Sequence, residues 1–323
     1  MDPFALVGPT ASGKTSLSLA LCRARPRPEI ELVSVDSMAL YRGMDIGTAK
    51  PAAGELGEVR MHLVDMVDPD EEVSVRDFQA WASAALAAIE DRGHKALLVG
   101  GTGLYLRAVV DCLELPGRYP VVAASLESEA DRRGGLAELY ARLQRLDPIA
   151  AARMEPGNRR RLVRALEVTI GSGRPFSSYG PGLGSFPVTK VHMVGIRFDP
   201  ELHGRLIDER FDAMMDLGLL DEVRALARRP GGLSRTARQA LGYRELLAYV
   251  EGGEGSKAAL ERAIAEAKRR TKAFARRQWA WFRRDPRITW LDPSGDLLAQ
   301  LLQAYDASAD AQPVRAVPAG GAR

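Results

Sequence analysis

Along the first third of the chain, short uniformly apolar runs alternate with amphipathic stretches. Phe4-Ala5-Leu6-Val7 predicts a buried strand, and Ser16 to Ala24, with Leu17 and Leu21 on one face, predicts the helix that follows it. Pro26 and Pro28 end that helix. Ile30 to Val35 reads as a second strand and closes on Asp36-Ser37. Ser74, three residues before Asp77, caps a predicted helix that carries Phe78, Trp81, Leu86 and Ile89 to about Arg92. Lys95 to Val99 is a third strand, running into Gly100-Gly101-Thr102-Gly103. Strand, loop, helix and strand in this order predict an α/β fold, a parallel sheet with helices on both faces. Ligands on such a sheet sit beyond the strand C-termini, so the loop after the first strand, Asp36 and Thr102 are expected to share one crevice.

The pattern changes near Pro116. Residues 117–189 are helical in character, rich in Ala, Leu and Arg and bounded by Pro and Gly breaks, and read as an inserted helical subdomain. A strand pattern returns at Val191 to Ile196, followed by long helices from Pro200 to Trp281, a short Ile288-Thr289-Trp290-Leu291 strand and a final helix. Residues 1–116 and 190–305 therefore form the α/β core with its C-terminal helices. The stretch 306–323, made of Ala, Pro and Gly with scattered charges, reads as a disordered tail.

At 323 residues and 46% hydrophobic, the chain can bury a large core. It has no run of about 18 apolar residues and no charged-then-apolar leader before the first strand, which predicts a soluble, cytoplasmic protein. Cys22 and Cys112 lack any metal-site spacing and are expected to be buried thiols in a reducing compartment. Net charge is only +3, but residues 1–116 hold 11 Lys+Arg against 17 Asp+Glu, and residues 117–323 hold 34 against 25. Basic residues thus gather in the second part, as a large polyanionic partner would require. Only 7 of the 45 basic residues are lysine, a bias that suits bidentate phosphate contacts and that a GC-rich genome produces equally.

Gly8-Pro9-Thr10-Ala11-Ser12-Gly13-Lys14-Thr15 is a complete G-x-x-x-x-G-K-[ST] loop between strand and helix. Its backbone N–H groups converge on phosphate oxygens, Lys14 adds a charge, and Thr15 can hold Mg2+. An NTPase of this kind also needs an acid at the end of an apolar strand to hold Mg2+ through water. Here the candidate strand ends in Gly100-Gly101, which argues against ATP or GTP hydrolysis. The acid that does follow a strand is Asp36, placed to accept a proton from a nucleophile across the crevice; a turn or helix cap is the other reading of such an Asp. Two basic segments suit nucleic acid. Arg160, Arg161 and Arg164 fall at helical spacing. Lys268 to Arg284 holds eight Lys/Arg among 17 residues, with Phe274, Trp279, Trp281 and Phe282 interleaved for packing or base stacking.

Taken together, the loop, the 18-residue stretch from Ser34 through Tyr41-Arg42-Gly43-Met44-Asp45-Ile46-Gly47-Thr48-Ala49-Lys50-Pro51, Val99 to Tyr105, Arg160 to Val168, Gln239 to Arg244 and Arg276 to Arg283 resemble the bacterial tRNA dimethylallyltransferases, over about residues 4–302. The resemblance implies a P-loop NTPase-like sheet with an inserted tRNA-binding helical subdomain, acting as a monomer. It implies transfer of a dimethylallyl group from dimethylallyl diphosphate to N6 of the adenosine just 3′ of the anticodon, in tRNAs that read codons beginning with U. The loop then grips a leaving pyrophosphate with Mg2+ near Thr15, so no hydrolytic acid is needed. By the same resemblance the catalytic set is Asp36, Lys14, Thr102 and Arg210. The tRNA anticodon stem-loop is met by Asp36, Ser37, Met38, Ala39 and Thr102, by Arg160, Arg161, Leu162, Val163 and Arg164, and by Gln239, Ala240, Leu241, Gly242, Tyr243 and Arg244.

Two positions depart from the family pattern. The arginines of the Leu-His-x-Arg helix lie four apart in the family, whereas Arg205 and Arg210 lie five apart; Phe211 and Met214 continue the pattern from Arg210. Val121 to Ala124 lacks the basic residue some relatives carry there. The rival readings are a P-loop kinase, a prenyltransferase acting on free adenine nucleotide, and an RNA-binding module without catalysis.

Overall fold

The computed structural model describes residues 2–26 and 29–309. The chain forms two compact units, Met1–Asp111 with Pro187–Arg323, and Cys112–Phe186. The first unit opens with β1 (Phe4–Val7), α1 (Lys14–Ala24), β2 (Ile30–Val35), α2 (Ala53–Leu56), β3 (Met61–His62), α3 (Val75–Asp91), β4 (Lys95–Gly100) and α4 (Gly103–Val110). The second holds α5 (Pro120–Ala130), α6 (Gly135–Leu146), α7 (Pro148–Ala152) and α8 (Arg159–Ser172). The chain then rejoins the first unit through β5 (His192–Ile196), α9 (Pro200–Asp216), α10 (Leu219–Ala227), α11 (Tyr243–Glu251), α12 (Lys257–Phe282), β6 (Ile288–Leu291) and α13 (Leu297–Ala309).

All six strands pair in parallel, in the order β3-β2-β4-β1-β5-β6. Because helices cover both faces, β1, β2 and β4 are buried almost end to end, which is why they read as continuous apolar runs. Successive side chains go to opposite faces. Ala5, Val7, Val33, Val35 and Leu98 pack with Phe78 of α3, Leu106 of α4, Phe211 of α9, Leu246 of α11 and Phe282 of α12. Phe4, Leu6, Leu32, Leu97 and Val99 pack with Leu19 and Leu21 of α1 and Leu301 and Tyr305 of α13. Truncating a fully buried member such as Leu97 to alanine would cost about 2–5 kcal/mol. The second unit has its own core, with Leu126, Leu139, Leu143, Leu162, Val163 and Leu166 at its centre.

Several local expectations shift. The helix after the phosphate loop begins at Lys14, two residues early, and ends at Ala24 with Arg25 as its cap; Pro28 lies outside the described residues. The long helical stretch from Pro200 is broken into α9 to α12 by residues 217–218, by the longer segment 228–242 that holds the Ala237–Gln239 3-10 turn, and by 252–256. Asp306 to Ala309 belong to α13, with Asp306 held by Arg25 at 2.5 Å, and 310–323 lie outside the described residues. Cys22 is buried as expected, but Cys112 is exposed. It sits just past α4 in a left-handed turn of φ 47, beyond the end of the apolar run.

Two charged clusters complete the first unit. At the start of β2, the buried Glu31 carboxylate receives Arg92 through Nε and Nη2, both at 2.8 Å, and lies 2.6 Å from His62 Nε2 and from His94 Nδ1. Burial pushes this carboxyl up, but the Arg92, His62 and His94 hydrogen bonds outweigh it and hold it at about 2. Where the chain leaves and re-enters the unit, Arg287 Nη1 donates to Asp111 Oδ1 at 2.6 Å and to the Pro187 carbonyl at 2.8 Å.

Candidate active site

The site is set by strand register. Val7 of β1 and Val35 of β2 both lie opposite Gly100 of β4, so the phosphate loop, Asp36 and Gly101-Thr102 leave the sheet side by side. A Cβ on Gly100 would lie 2.1 Å from the Val35 carbonyl oxygen, so only glycine allows this approach. Thr102 N–H donates to that same carbonyl at 3.3 Å.

The phosphate loop turns into α1 through Gly13, left-handed at φ 77, and Ala11 is left-handed as well at φ 60. A non-glycine residue in that conformation costs about 1–2 kcal/mol. Lys14 Nζ folds onto the Pro9 carbonyl at 2.5 Å and Ser12 Oγ at 3.3 Å. Burial, and secondly the charge of Arg210, push the Lys14 ammonium down to about 7, against the opposing pull of Asp36. Arg210 is itself lowered by burial and supported by Asp36. These three charges, from α1, α9 and the end of β2, therefore interact in one region. Arg205 is exposed, whereas Arg210 is half-buried beside Lys14, so α9 presents Arg210 rather than Arg205 to the site.

Asp36 Oδ1 accepts from Met38 N–H at 2.8 Å, which fixes the turn after β2. Thr102, at the start of α4, accepts from Ser37 N–H through Oγ1 at 3.4 Å. Gln278 on α12 ties the two sides together: its Oε1 accepts from Thr10 N–H at 2.8 Å and its Nε2 donates to the Gly101 carbonyl at 2.9 Å. The arrangement presents two cations and a helix start to an anionic group, with one carboxylate alongside. Among the described residues no cluster of three or more His, Cys, Asp or Glu could hold a metal. The Thr15 hydroxyl, next to Lys14 at the helix start, is the oxygen that a phosphate-borne Mg2+ would meet.

The segment Asp45-Ile46-Gly47 is clamped from the C-terminal helices. Glu222 of α10 accepts from the Asp45, Ile46 and Gly47 N–H groups at 3.0, 2.8 and 3.3 Å. Tyr243 donates to Glu222 at 2.5 Å and accepts from Gly47 N–H at 3.1 Å.

The residues expected to meet RNA differ in exposure. Leu162 and Val163 are core residues of the second unit, and Ala39, Ala240, Gly242 and Tyr243 are buried. Ser37, Met38 and Leu241 are half-buried. Arg160 and Arg161 are exposed, while Arg164 is engaged by Glu167 at 2.8 Å and by the Pro116 and Gly117 carbonyls at 3.0 Å. Gln239 and Arg244 are exposed and bonded to each other at 3.2 Å. Of the aromatics interleaved in 268–284, Trp279, Trp281 and Phe282 pack inward, while half-buried Phe274 has the Arg277 guanidinium 5.7 Å over its ring. Trp279 meets Trp290 edge-on at 4.7 Å, Phe282 is buried, and the Trp281 indole covers Gly103. Arg276, Arg277, Arg283 and Arg284 remain exposed on that segment. Gln278, Glu222 and the clamping role of Tyr243 were not read from sequence. Surface cavities of about 340 and 260 Å³ are lined by Met61 to Ala85 and Arg197 to Ser294 residues, with no phosphate-loop member; the convergence of Lys14, Asp36 and Arg210 marks the site better than cavity size does.

The chain is similar to known proteins over most of its length. The family model described as IPP transferase matches residues 39–285. A tRNA dimethylallyltransferase of Roseiflexus castenholzii is 47% identical, over 93% of this chain and 96% of that one. One from Streptomyces coelicolor is 48% identical, over 89% of each. The crystal structure of a full-length tRNA isopentenylpyrophosphate transferase from Bacillus halodurans superposes with a TM-score of 0.68 at 35% identity, covering 96% of this chain and 97% of that one. A eukaryotic dimethylallyltransferase, at 24% identity, shares the fold with a TM-score of 0.70.

Proposed function

The chain belongs to the IPP transferase family, and from that premise we propose that it transfers a dimethylallyl group from dimethylallyl diphosphate to N6 of the adenosine 3′-adjacent to the anticodon, in tRNAs that read codons beginning with U. The observation that carries this reading is the strand register that brings the phosphate loop, Asp36 and Thr102 out of the sheet side by side.

The phosphate loop and the two cations bind the diphosphate, and the carboxylate faces the nucleophile. The N6 lone pair attacks the allylic carbon, the carbon–oxygen bond breaks, and its electron pair leaves with pyrophosphate. Lys14, Arg210 and the N–H groups at the start of α1 stabilise the charge growing on that leaving group. Asp36 orients N6 and takes its proton, and Thr102 stands beside it, bonded to the same turn. The adenine must be unstacked to reach Asp36, which an anticodon loop permits at low cost. The Thr15 hydroxyl suits a Mg2+ that arrives on the diphosphate, where it adds positive charge against the departing oxygens.

Exposed Arg160, Arg161, Gln239 and Arg244 are the side chains offered to tRNA, with the buried neighbours in each segment supporting them. Among the described residues no helix is long and apolar enough to cross a membrane, and a tRNA substrate places the work in the cytoplasm.

Mass spectrometry of tRNA nucleosides after incubation with the protein, Mg2+ and dimethylallyl diphosphate tests the reading. N6-dimethylallyladenosine is expected at the position 3′ of the anticodon, and Asp36→Ala should lose at least about 100-fold in rate while still binding tRNA. Label entering only free nucleotide, or tight binding of ATP in place of dimethylallyl diphosphate, would overturn it.

A further inference from the structure

Helix α9 carries a second polar side chain on the side that bears Arg210. His203 precedes Arg210 by seven residues, close to two helical turns, so the two share a face about 10 Å apart along the helix. The imidazole is 2% exposed and packs on Phe198 at 4.6 Å between ring centres. Its Nδ1 lies 3.2 Å from Asp199 N–H and 2.9 Å from the Asp199 carbonyl, which already accepts the His203 main-chain N–H at 2.9 Å. With Nδ1 accepting from Asp199 N–H the ring carries its proton on Nε2, and a phosphate at Nε2 favours that form over the one in which Nδ1 donates to the Asp199 carbonyl. Nε2 is buried and has no hydrogen-bond partner.

A buried ring nitrogen without a partner is costly, so a partner that binds there recovers more than an exposed contact would. Two observations give its location. The strand that leads into α9 leaves the sheet beside the phosphate loop, since Val7 of β1 lies opposite Gly195 of β5 and a Cβ on Gly8 would lie 3.6 Å from the Ile196 carbonyl oxygen, and the Lys14 ammonium accordingly disfavours protonation of the His203 ring. Lys14 also feels Arg210, and both Lys14 and Arg210 feel Asp36. Lys14 thus lies within reach of both residues on the α9 face, with Asp36 toward the Arg210 end.

We infer that His203 Nε2 donates a hydrogen bond to the terminal phosphate of a bound diphosphate, at the end of the site away from Asp36. Arg210 serves the phosphate next to the breaking bond, and His203 measures whether a second phosphate is present. This rests on the diphosphate reading above and adds a specificity element to it: an allylic monophosphate would meet Arg210 but leave His203 unpaired.

The test uses the full chain with Mg2+. Isothermal titrations with inorganic pyrophosphate, dimethylallyl diphosphate and dimethylallyl monophosphate are run on the parent protein, on His203→Phe, which keeps an aromatic ring against Phe198, and on Lys14→Met. His203→Phe is expected to weaken both diphosphate ligands about 10- to 100-fold, as loss of a hydrogen bond to a charged group does. Its monophosphate and tRNA affinities should hold. In the parent protein, the His203 Nε2 ¹⁵N resonance should shift on adding pyrophosphate, a measurement that needs no variant to fold. Unchanged diphosphate affinity in His203→Phe, or a ¹⁵N signal indifferent to pyrophosphate, overturns the inference. If the parent protein binds neither diphosphate, the functional reading fails instead; if Lys14→Met loses binding while His203→Phe does not, only the role of His203 falls.

Discussion

Gln278→Leu removes the one side chain that bridges the phosphate loop and the end of β4, while nearly preserving its shape. Glutamine holds Thr10 N–H at 2.8 Å and the Gly101 carbonyl at 2.9 Å from a position only 8% exposed. Leucine can meet neither group, and each buried main-chain group left unpaired costs about 1–3 kcal/mol. The apolar replacement returns part of that, so the net loss of stability should be about 2–4 kcal/mol. The functional effect should be specific. Thr10 belongs to the loop proposed to receive the diphosphate, so KM for dimethylallyl diphosphate should rise about tenfold, equivalent to about 1.4 kcal/mol of loop ordering. KM for tRNA should hold. Gln278→Glu sharpens the test, because its carboxylate still accepts from Thr10 N–H but faces the Gly101 carbonyl with an oxygen, and only the protonated acid can restore that bond. Chemical denaturation and steady-state kinetics with each substrate varied give both numbers. A Gln278→Leu protein within about 0.5 kcal/mol of the parent, with an unchanged KM for dimethylallyl diphosphate, would refute the bridge.

Three further outcomes are expected. Lys14 is held at about 7, well below its usual value, so the unfolded chain binds the extra proton between roughly pH 7 and 10.5. Lys14→Met should therefore raise the melting temperature most below pH 7 and not at all near pH 10.5, while abolishing pyrophosphate binding by calorimetry. Glu31, held at about 2, adds stability that is complete above about pH 4.5 and fades as pH falls toward 2. Glu31→Gln should cost about 2–4 kcal/mol at neutral pH, as seen by urea denaturation, with the difference shrinking over that acid window. Gly47→Ala would put a Cβ 2.4 Å from the Tyr243 ring. It should cost about 1–3 kcal/mol and lower kcat on tRNA, and Tyr243→Ala in the same chain should relieve the clash while leaving the clamp broken.

Much of this was legible in sequence where the signal is local. β1, β2 and β4 showed as apolar runs because a parallel sheet covered on both faces leaves no polar side, and the phosphate loop is defined by contiguous backbone needs. The Ser74–Asp77 cap was equally local, and both halves of its reciprocal bonding are present. What stayed hidden is pairing at a distance. Gln278 meets Thr10 across 268 residues of chain, and nothing in Arg-Arg-Gln-Trp marks the glutamine as a bridge rather than a spacer. Motif segments also mixed two kinds of residue. On α8 the 3.6-residue period turns Leu162 and Val163 inward and Arg160 and Arg161 outward, so a contiguous stretch divides into buried and exposed positions. The five-residue spacing of Arg205 and Arg210 was ambiguous until α9 gained a buried side, and Ile207, Phe211 and Met214 fix which arginine turns toward Lys14.

Arg287 holds Asp111 and the Pro187 carbonyl with one nitrogen, so the two ends of the 112–186 excursion are pinned together by the α/β unit itself. The entropy of closing that excursion is then met by the framework, whatever its length, since closure depends on length only logarithmically. An α/β unit built this way can tolerate a longer, shorter or wholly different excursion at the same junction, and replacing 112–186 with a short Gly/Ser link should leave a folded sheet. Exchange of the inserted unit, over an unchanged α/β framework, is the evolutionary route that this junction opens.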